Sequence, residues 1–221
     1  KIYIPKQWLY QHLSFKGIFK IRIDKNEFKI YNTGTIIENQ LFWKGIDGFE
    51  PNSLKIWVKL CKISDVILDI GANTGIYSLI AKCVNPISKV YAFEPSVFNL
   101  ELLARNIYIN GLSDQAVIVP LPLSDNLAIN KLNMSTTDWG GALSTFGQSY
   151  GHDGLTLNNI FEFQTLGLSM TEAMELLKIP QPDYIKMDVD GIEHLILKGG
   201  HSVLKHVKGV LIEINEEFEK Q

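Results

Sequence analysis

From Val66 onward, short apolar runs alternate with longer stretches whose apolar residues recur every three to four positions. The runs VILDI (66–70), KVYAFE (89–94), AVIVPL (116–121), DYIKMDV (183–189) and GVLIEI (209–214) have strand length. Between them, residues 74–84, 96–110 and 192–206 carry the helical period and are long enough to cross over a sheet. Apolar strands joined by helical crossovers predict an α/β fold, a doubly wound and mostly parallel sheet covered on both faces.

The rhythm differs before Val66. Residues 18–46 alternate apolar and polar in places, with turn signals at Lys25-Asn26 and Asn32-Thr33-Gly34, so residues 1–47 read as a small antiparallel β meander capping a main domain at 48–221. Residues 50–64 place Leu54, Trp57, Val58 and Cys61 on one face of a helix. One interval, 124–168, is rich in Gly, Ser, Thr and Asn yet carries Trp139, Phe146, Tyr150, Phe161 and Phe163. An insertion of that length in a compact domain points to function, and it reads as a hairpin and flap over an acceptor site, with Gly140 and Gly141 as a hinge. A short helix follows, begun by Ser169 or Thr171 with Glu172 in its first turn.

Composition narrows the class. The chain has 221 residues, 46% hydrophobic and 20% charged, enough to bury a full core. A net charge of -3 and a pI near 6.0 leave no basic field for gripping nucleic acid or an anionic membrane. Cys61 and Cys83 sit among apolar residues and read as reduced core thiols. The start, KIYIPKQWLY, lacks a signal peptide's apolar run, and no stretch is long enough to span a bilayer, so a soluble cytoplasmic protein is expected. A segment upstream of Lys1 stays open. At the other end, residues 209–214 form an apolar strand with a bare edge. The expectation is that the natural chain continues past Gln221, or that the meander or a second subunit covers that edge.

The chemistry begins at DIGANTG, residues 69–75, where an apolar run ends in Asp69 and turns through Gly71, Ala72, Asn73 and Gly75 into a helix. This is neither the glycine spacing of a dinucleotide fold nor a phosphate loop. Asp69 at the mouth of the turn is expected to repel phosphate and welcome a cation. The next strand ends in Glu94 and Pro95, about where an acid accepts both hydroxyls of an unphosphorylated ribose. A cationic sulfonium beside one acid and a ribose on the other describe S-adenosylmethionine.

With DIGANTG at 69–75, AFEP at 92–95 and DYIKMDVDGIEHLILKGG at 183–200, the chain resembles the FkbM-type S-adenosylmethionine-dependent methyltransferases from about Gly48 to Asn215. The third motif is the most specific; Asp190 stands where the family more often has Glu. The resemblance implies a methyltransferase of Rossmann-like fold, with the cofactor at the ends of its first two strands and O-methylation of sugars or natural products.

The fourth strand brings Lys186, Asp188, Asp190, Glu193 and His194 to its end, and alternation puts Lys186, Asp188 and Asp190 on one side. A hydroxyl acceptor needs a base or precise positioning, and Asp188 is the first candidate, followed by Asp190 and Glu193. Glu193 serves equally well as an acid at a helix start, and His194 reads as a surface residue. Lys186 either steadies a carboxylate or binds an acidic acceptor. Ser124 and Asp125 reach toward an adenine or form a plain turn. If a divalent metal such as Mg²⁺ takes part, Asp188, Glu213 and Asn215 are its ligands, but a metal is not favoured. The leading function is O-methylation of a sugar, glycan or related metabolite. A catalytically silent cofactor-binding or interaction domain is the alternative, and a nucleic-acid methyltransferase, which lacks its base-modifying motifs here, ranks lower. A homo-oligomer stays possible.

Overall fold

The computed structural model describes residue 13, residues 15–216 and residue 218. Residues 1–12, on which the reading of the leader rests, lie outside the described residues.

Strands β1 (Gly17–Ile23) and β2 (Asn26–Asn32) form an antiparallel hairpin through a two-residue turn at Asp24 and Lys25, with Asp24 in the left-handed region. Its inward residues Phe19, Ile21, Ile23, Phe28 and Ile30 are buried. The meander ends there. Helix α1 (Ile36–Lys44) follows where further strand was expected, because Ile37 and Leu41 repeat at helical rather than alternate spacing, among good helix formers. Helix α2 (Pro51–Cys61) starts on a proline whose missing N–H costs nothing at that position.

The rest builds the sheet. Strand β3 (Val66–Ile70) leads through α3 (Ile76–Val84) to β4 (Lys89–Phe93), then through α4 (Val97–Ile109) to β5 (Ala116–Val119). Strand β6 (Leu123–Ser124) opens the insertion, followed by β7 (Ala128–Met134), β8 (Ser144–Phe146) and β9 (Phe161–Ser169). Helix α5 (Met170–Leu177), capped reciprocally by Ser169 and Glu172, returns the chain to β10 (Tyr184–Met187). Helices α6 (Glu193–Gly199) and α7 (His201–Leu204) divide the expected single helix at Gly200 and lead to β11 (Gly209–Ile212).

Five strands form one all-parallel sheet in the order β11-β10-β3-β4-β5. Period-two alternation divides its apolar side chains between two cores. Ile67 faces the core shared by the hairpin, α2, α3 and α4, whereas Leu68 and Ile70 face the core shared by α5, α6 and the insertion. The insertion is larger than a hairpin: it forms a second sheet in the order β6-β9-β7-β8. The hairpin does not shield β11. It docks on α3 and α4, with Asn26 donating to Cys83 O and Tyr31 N–H to Asn106 Oδ1, both at 2.8 Å. Among the described residues β11 pairs only with β10. Cys61 and Cys83 are both buried and free.

Candidate functional site

The glycine turn is shaped by the strand beside it. Gly71 holds φ at 76°, and a Cβ there would lie 1.8 Å from the carbonyl oxygen of Asp188. Only glycine lets the ends of β3 and β10 approach so closely. The turn's amides are largely engaged: Gly71 and Ala72 donate to Phe93 O at 3.0 and 2.9 Å, and Asn73 N–H donates to Glu94 Oε2 at 2.7 Å. Ser96 N–H holds the other oxygen, Oε1, at 2.9 Å. Burial lifts the Glu94 carboxyl to about 7 despite these two donors.

In front of this turn opens a cavity continuous with solvent. Gly71, Ala72, Asn73, Glu94 and Pro95 line it, as does Asp188. Four expected residues do not: Gly75, which caps the start of α3 at φ 90°, and Asp69, Ser124 and Asp125. Asp69 alternates to the opposite side, under α3, where it accepts a hydrogen bond from the Ser78 hydroxyl at 2.6 Å. Complete burial raises its carboxyl, with the Lys186 charge opposing. Asp69 therefore does not stand at the mouth of the turn. Ser124 belongs to β6, and Asp125 pairs with Lys198 at 2.9 Å, so the wall at this level is the apolar segment Leu121–Leu123.

The acidic end of β10 is only partly as alternation places it. Lys186 and Asp188 do share a side: the buried Lys186 ammonium donates to Asp188 Oδ2 and to Gly71 O, both at 3.1 Å. Burial alone would lower its pKa, but the charges of Asp188 and Asp69 raise it overall. After Met187 the strand ends, and Asp190 turns into the left-handed region at φ 60°. Its carboxylate accepts from Leu143 N–H at 2.7 Å, tying down the insertion, while the residue lines the main cavity together with Lys186 and Asp188. Burial and the Asp188 charge push this carboxyl up to about 6. Glu193 folds back on its own turn, taking Val189 N–H and Gly191 N–H at 3.0 Å each at the helix start, and lines a flanking cavity with Asp188. Replacing Asp190 with Ala leaves the Leu143 amide without its acceptor. The expected cost is about 2 kcal/mol of local stability, measured as faster hydrogen exchange at Leu143.

Asp188, Glu213 and Asn215 line one flanking cavity, with the Asn215 Nδ2 donating to His152 O at 3.2 Å. The described acids that could share a cation are Glu50, Asp188 and Glu213, whose oxygens lie within 4.8 Å of one another. Asp188 and burial, with Glu50, raise Glu213 to about 7. Glu50 was not visible as a site residue, being 138 positions from Asp188. Tyr77 and Asn99 were missed as well. Asn99 accepts from Gly140 N–H at 3.0 Å and donates to Gly141 O at 2.9 Å, holding this segment beside the cavity that Asn99 and Gly141 line. Of the insertion's aromatics, Phe146 reaches the cavity. The signal for Tyr77 was its place two residues after Gly75, at the start of the helix that leaves the turn.

Strand order, glycine turn and cavity define an α/β domain whose main cavity opens at the topological switch point, between β3 and β10. The chain belongs to the methyltransferase FkbM domain family, whose model matches residues 69–221. It is 26% identical over 166 residues to the hexuronic acid methyltransferase AglP of Haloferax volcanii, covering 75% of this chain and 62% of that protein. To the methyltransferase sdnD of Sordaria araneosa it is 28% identical over 172 residues, covering 60% of this chain and 59% of the relative. The chain thus spans about six tenths of the length of these curated relatives. A solved methyltransferase FkbM from Methylobacillus flagellatus aligns at a TM-score of 0.46 and 17% identity, over 67% of this chain and 32% of that one. Among the described residues, no helix is long and apolar enough to cross a membrane.

Proposed function

We propose that this chain is an S-adenosylmethionine-dependent O-methyltransferase acting on a hydroxyl of a sugar, glycan or related metabolite. The observation that carries the reading is the cavity, in which a buried Glu94 beside the glycine turn and an acid at the strand end, Asp188, face one space. The residues present suit this cofactor. Glu94 spends one lone pair of each oxygen on the Asn73 and Ser96 amides and keeps others for two ribose hydroxyls. Pro95 and Leu121–Leu123 offer apolar surface for a flat base, and the acids suit a cation. When bound, the sulfonium supplies an electrophilic methyl group, with the C–S bond breaking as the C–O bond forms.

The chain's own contribution is placement and proton handling. Asp188, fixed by Lys186, is positioned to accept the acceptor's hydroxyl proton and to hold its oxygen in line. Small-molecule and glycan hydroxyls are the proposed acceptors, and nucleic acid is left out on the net charge of -3. Action in the cytoplasm belongs to the same proposal. Relatedness to a hexuronic acid methyltransferase makes hexuronosides the first acceptors to try. Calorimetry with S-adenosylmethionine followed by mass-shift screening of a glycoside panel tests the reading. An absence of cofactor binding sinks it. Lys186 already supplies a positive charge to Asp188, so exhaustive chelation with EDTA is expected to leave turnover within about twofold. Loss of turnover restored by Mg²⁺ would instead place an ion among Glu50, Asp188 and Glu213.

A further inference from the structure

A series of contacts runs from α2 through the buried Tyr77 and Lys186 to Asp188, and it begins outside residues 69–221. Glu50 precedes Pro51 in a left-handed conformation, φ 36°, and accepts the hydroxyl hydrogen of Tyr77 on its Oε2. Further along the same helix, the fully buried Trp57 donates its indole N–H to Tyr77 O at 3.0 Å. Its ring meets Tyr77 edge-on with centroids 5.8 Å apart. Helix α2 and its cap therefore grip Tyr77 by hydroxyl, ring and backbone. The Tyr77 ring in turn faces Lys186, whose Nζ lies 4.7 Å from the ring centroid. Lys186 completes the series by donating to Gly71 O and Asp188 Oδ2. Tyr77 also lines both the main cavity and a second one that contains Glu50, Ser53 and Leu211–Glu213, so its ring is part of the wall between them.

A lysine has four rotatable side-chain bonds, and its ammonium takes whichever nearby anion the packing allows. The competitor here is Asp69, which sits opposite Lys186 in the β3–β10 register. Asp69 is fully buried, and its Oδ1 has no hydrogen-bond partner among the described residues. The Tyr77 face attracts the ammonium by its π electrons. That face can act only while the ring is held in place.

We propose that Glu50 is a positioning residue for methyl transfer: by anchoring Tyr77 it keeps Lys186 on Asp188 and Gly71, between the cofactor and acceptor sides of the site. The role rests on the methyltransferase reading, whereas the contacts can be tested without it. The test uses the full 221-residue chain with ¹⁵N-labelled lysine. Lys186→Met identifies the Lys186 ammonium signal by its disappearance. In the wild type that signal is expected upfield, shifted by the Tyr77 ring current. Glu50→Gln and Tyr77→Phe each move it in the same direction, and the double variant moves it no further than either alone. Loosening Gly71 weakens S-adenosylhomocysteine binding about threefold in each variant. A Lys186 signal coincident with the wild type in both single variants overturns the proposal. Should Glu50→Gln fail to fold, Tyr77→Phe, which removes one oxygen, decides it alone. Failure of the wild type to bind S-adenosylhomocysteine would sink the methyltransferase reading, and with it the role assigned to Glu50, while leaving the ammonium shift as a separate observation.

Discussion

Replacing Asp188 by Asn lowers methyl transfer about a hundredfold while changing cofactor affinity by no more than about threefold. Asp188 follows the last residue of β10 and lines the main cavity together with two flanking ones. The amide keeps the shape of the carboxylate but cannot accept the acceptor's proton, and it gives the buried Lys186 no charge to pair with. Its effect falls on turnover rather than on binding because the ribose and glycine-turn contacts are elsewhere. His194 is the control. Its ring meets the edge of Phe218 at 6.3 Å, and it lines none of these cavities, so His194→Ala should retain nearly full turnover. Rates measured with the acceptor from the glycoside screen decide between them. Full activity in Asp188→Asn would remove it from the proton path.

Replacing Glu94 by Ala is expected to weaken S-adenosylhomocysteine binding about thirtyfold, the loss of a charge-assisted pair of hydrogen bonds worth about 2 kcal/mol. The structure adds a second reason. The same carboxylate holds the Asn73 and Ser96 amides, so its removal also frees the turn that lines the cavity. A pH dependence follows from burial. Burial raises the Glu94 carboxyl from 4.5 to about 7, and in the proposed ribose contact the ionised form is the one suited to accept both hydroxyls. Affinity should therefore climb as pH rises from 6 to 8 and then level, and Glu94→Gln should flatten that slope. Stability runs the other way. Between pH 4.5 and about 7 the folded protein holds a proton that the unfolded chain releases, so this group's contribution falls as pH rises through that window. Calorimetry over the pH range checks the first slope and thermal melts the second. Unchanged affinity in folded Glu94→Ala would defeat the ribose assignment.

The parallel sheet was legible because each of its strands is a short apolar run bounded by turn residues, a pattern that needs no distant partner to be recognised. The glycine turn was legible for the same reason: strand, Gly71 and helix are adjacent in the chain. The α1 helix was misread where a few alternating residues in the hairpin before it were extended past Asn32. The residues at the acidic strand end show where local pattern stops. Alternation paired Lys186 with Asp188 correctly, since both lie within reach of the strand's pleat. Asp190 lies past the strand end in a left-handed turn, and its hold on the Leu143 amide is a long-range contact that no local pattern marks.

Asp69, Ser124 and Asp125 were assigned to the cavity from nearness along the chain, yet which face of a strand looks into a cavity depends on what packs against the other face. Helix α3 claims Asp69, and Lys198 claims Asp125. Glu50 is the converse case. Nothing near residue 50 marks it, and only the folding of α2 against Tyr77 brings its carboxylate to Asp188. Periodicity and turn chemistry thus suffice for the strands of the parallel sheet and for the glycine turn, because they act over a few residues. Which acids share a charge, which are spent on backbone amides and which are shut under a helix was decided by tertiary packing, since electrostatic and burial energies depend on distance in space and not along the chain.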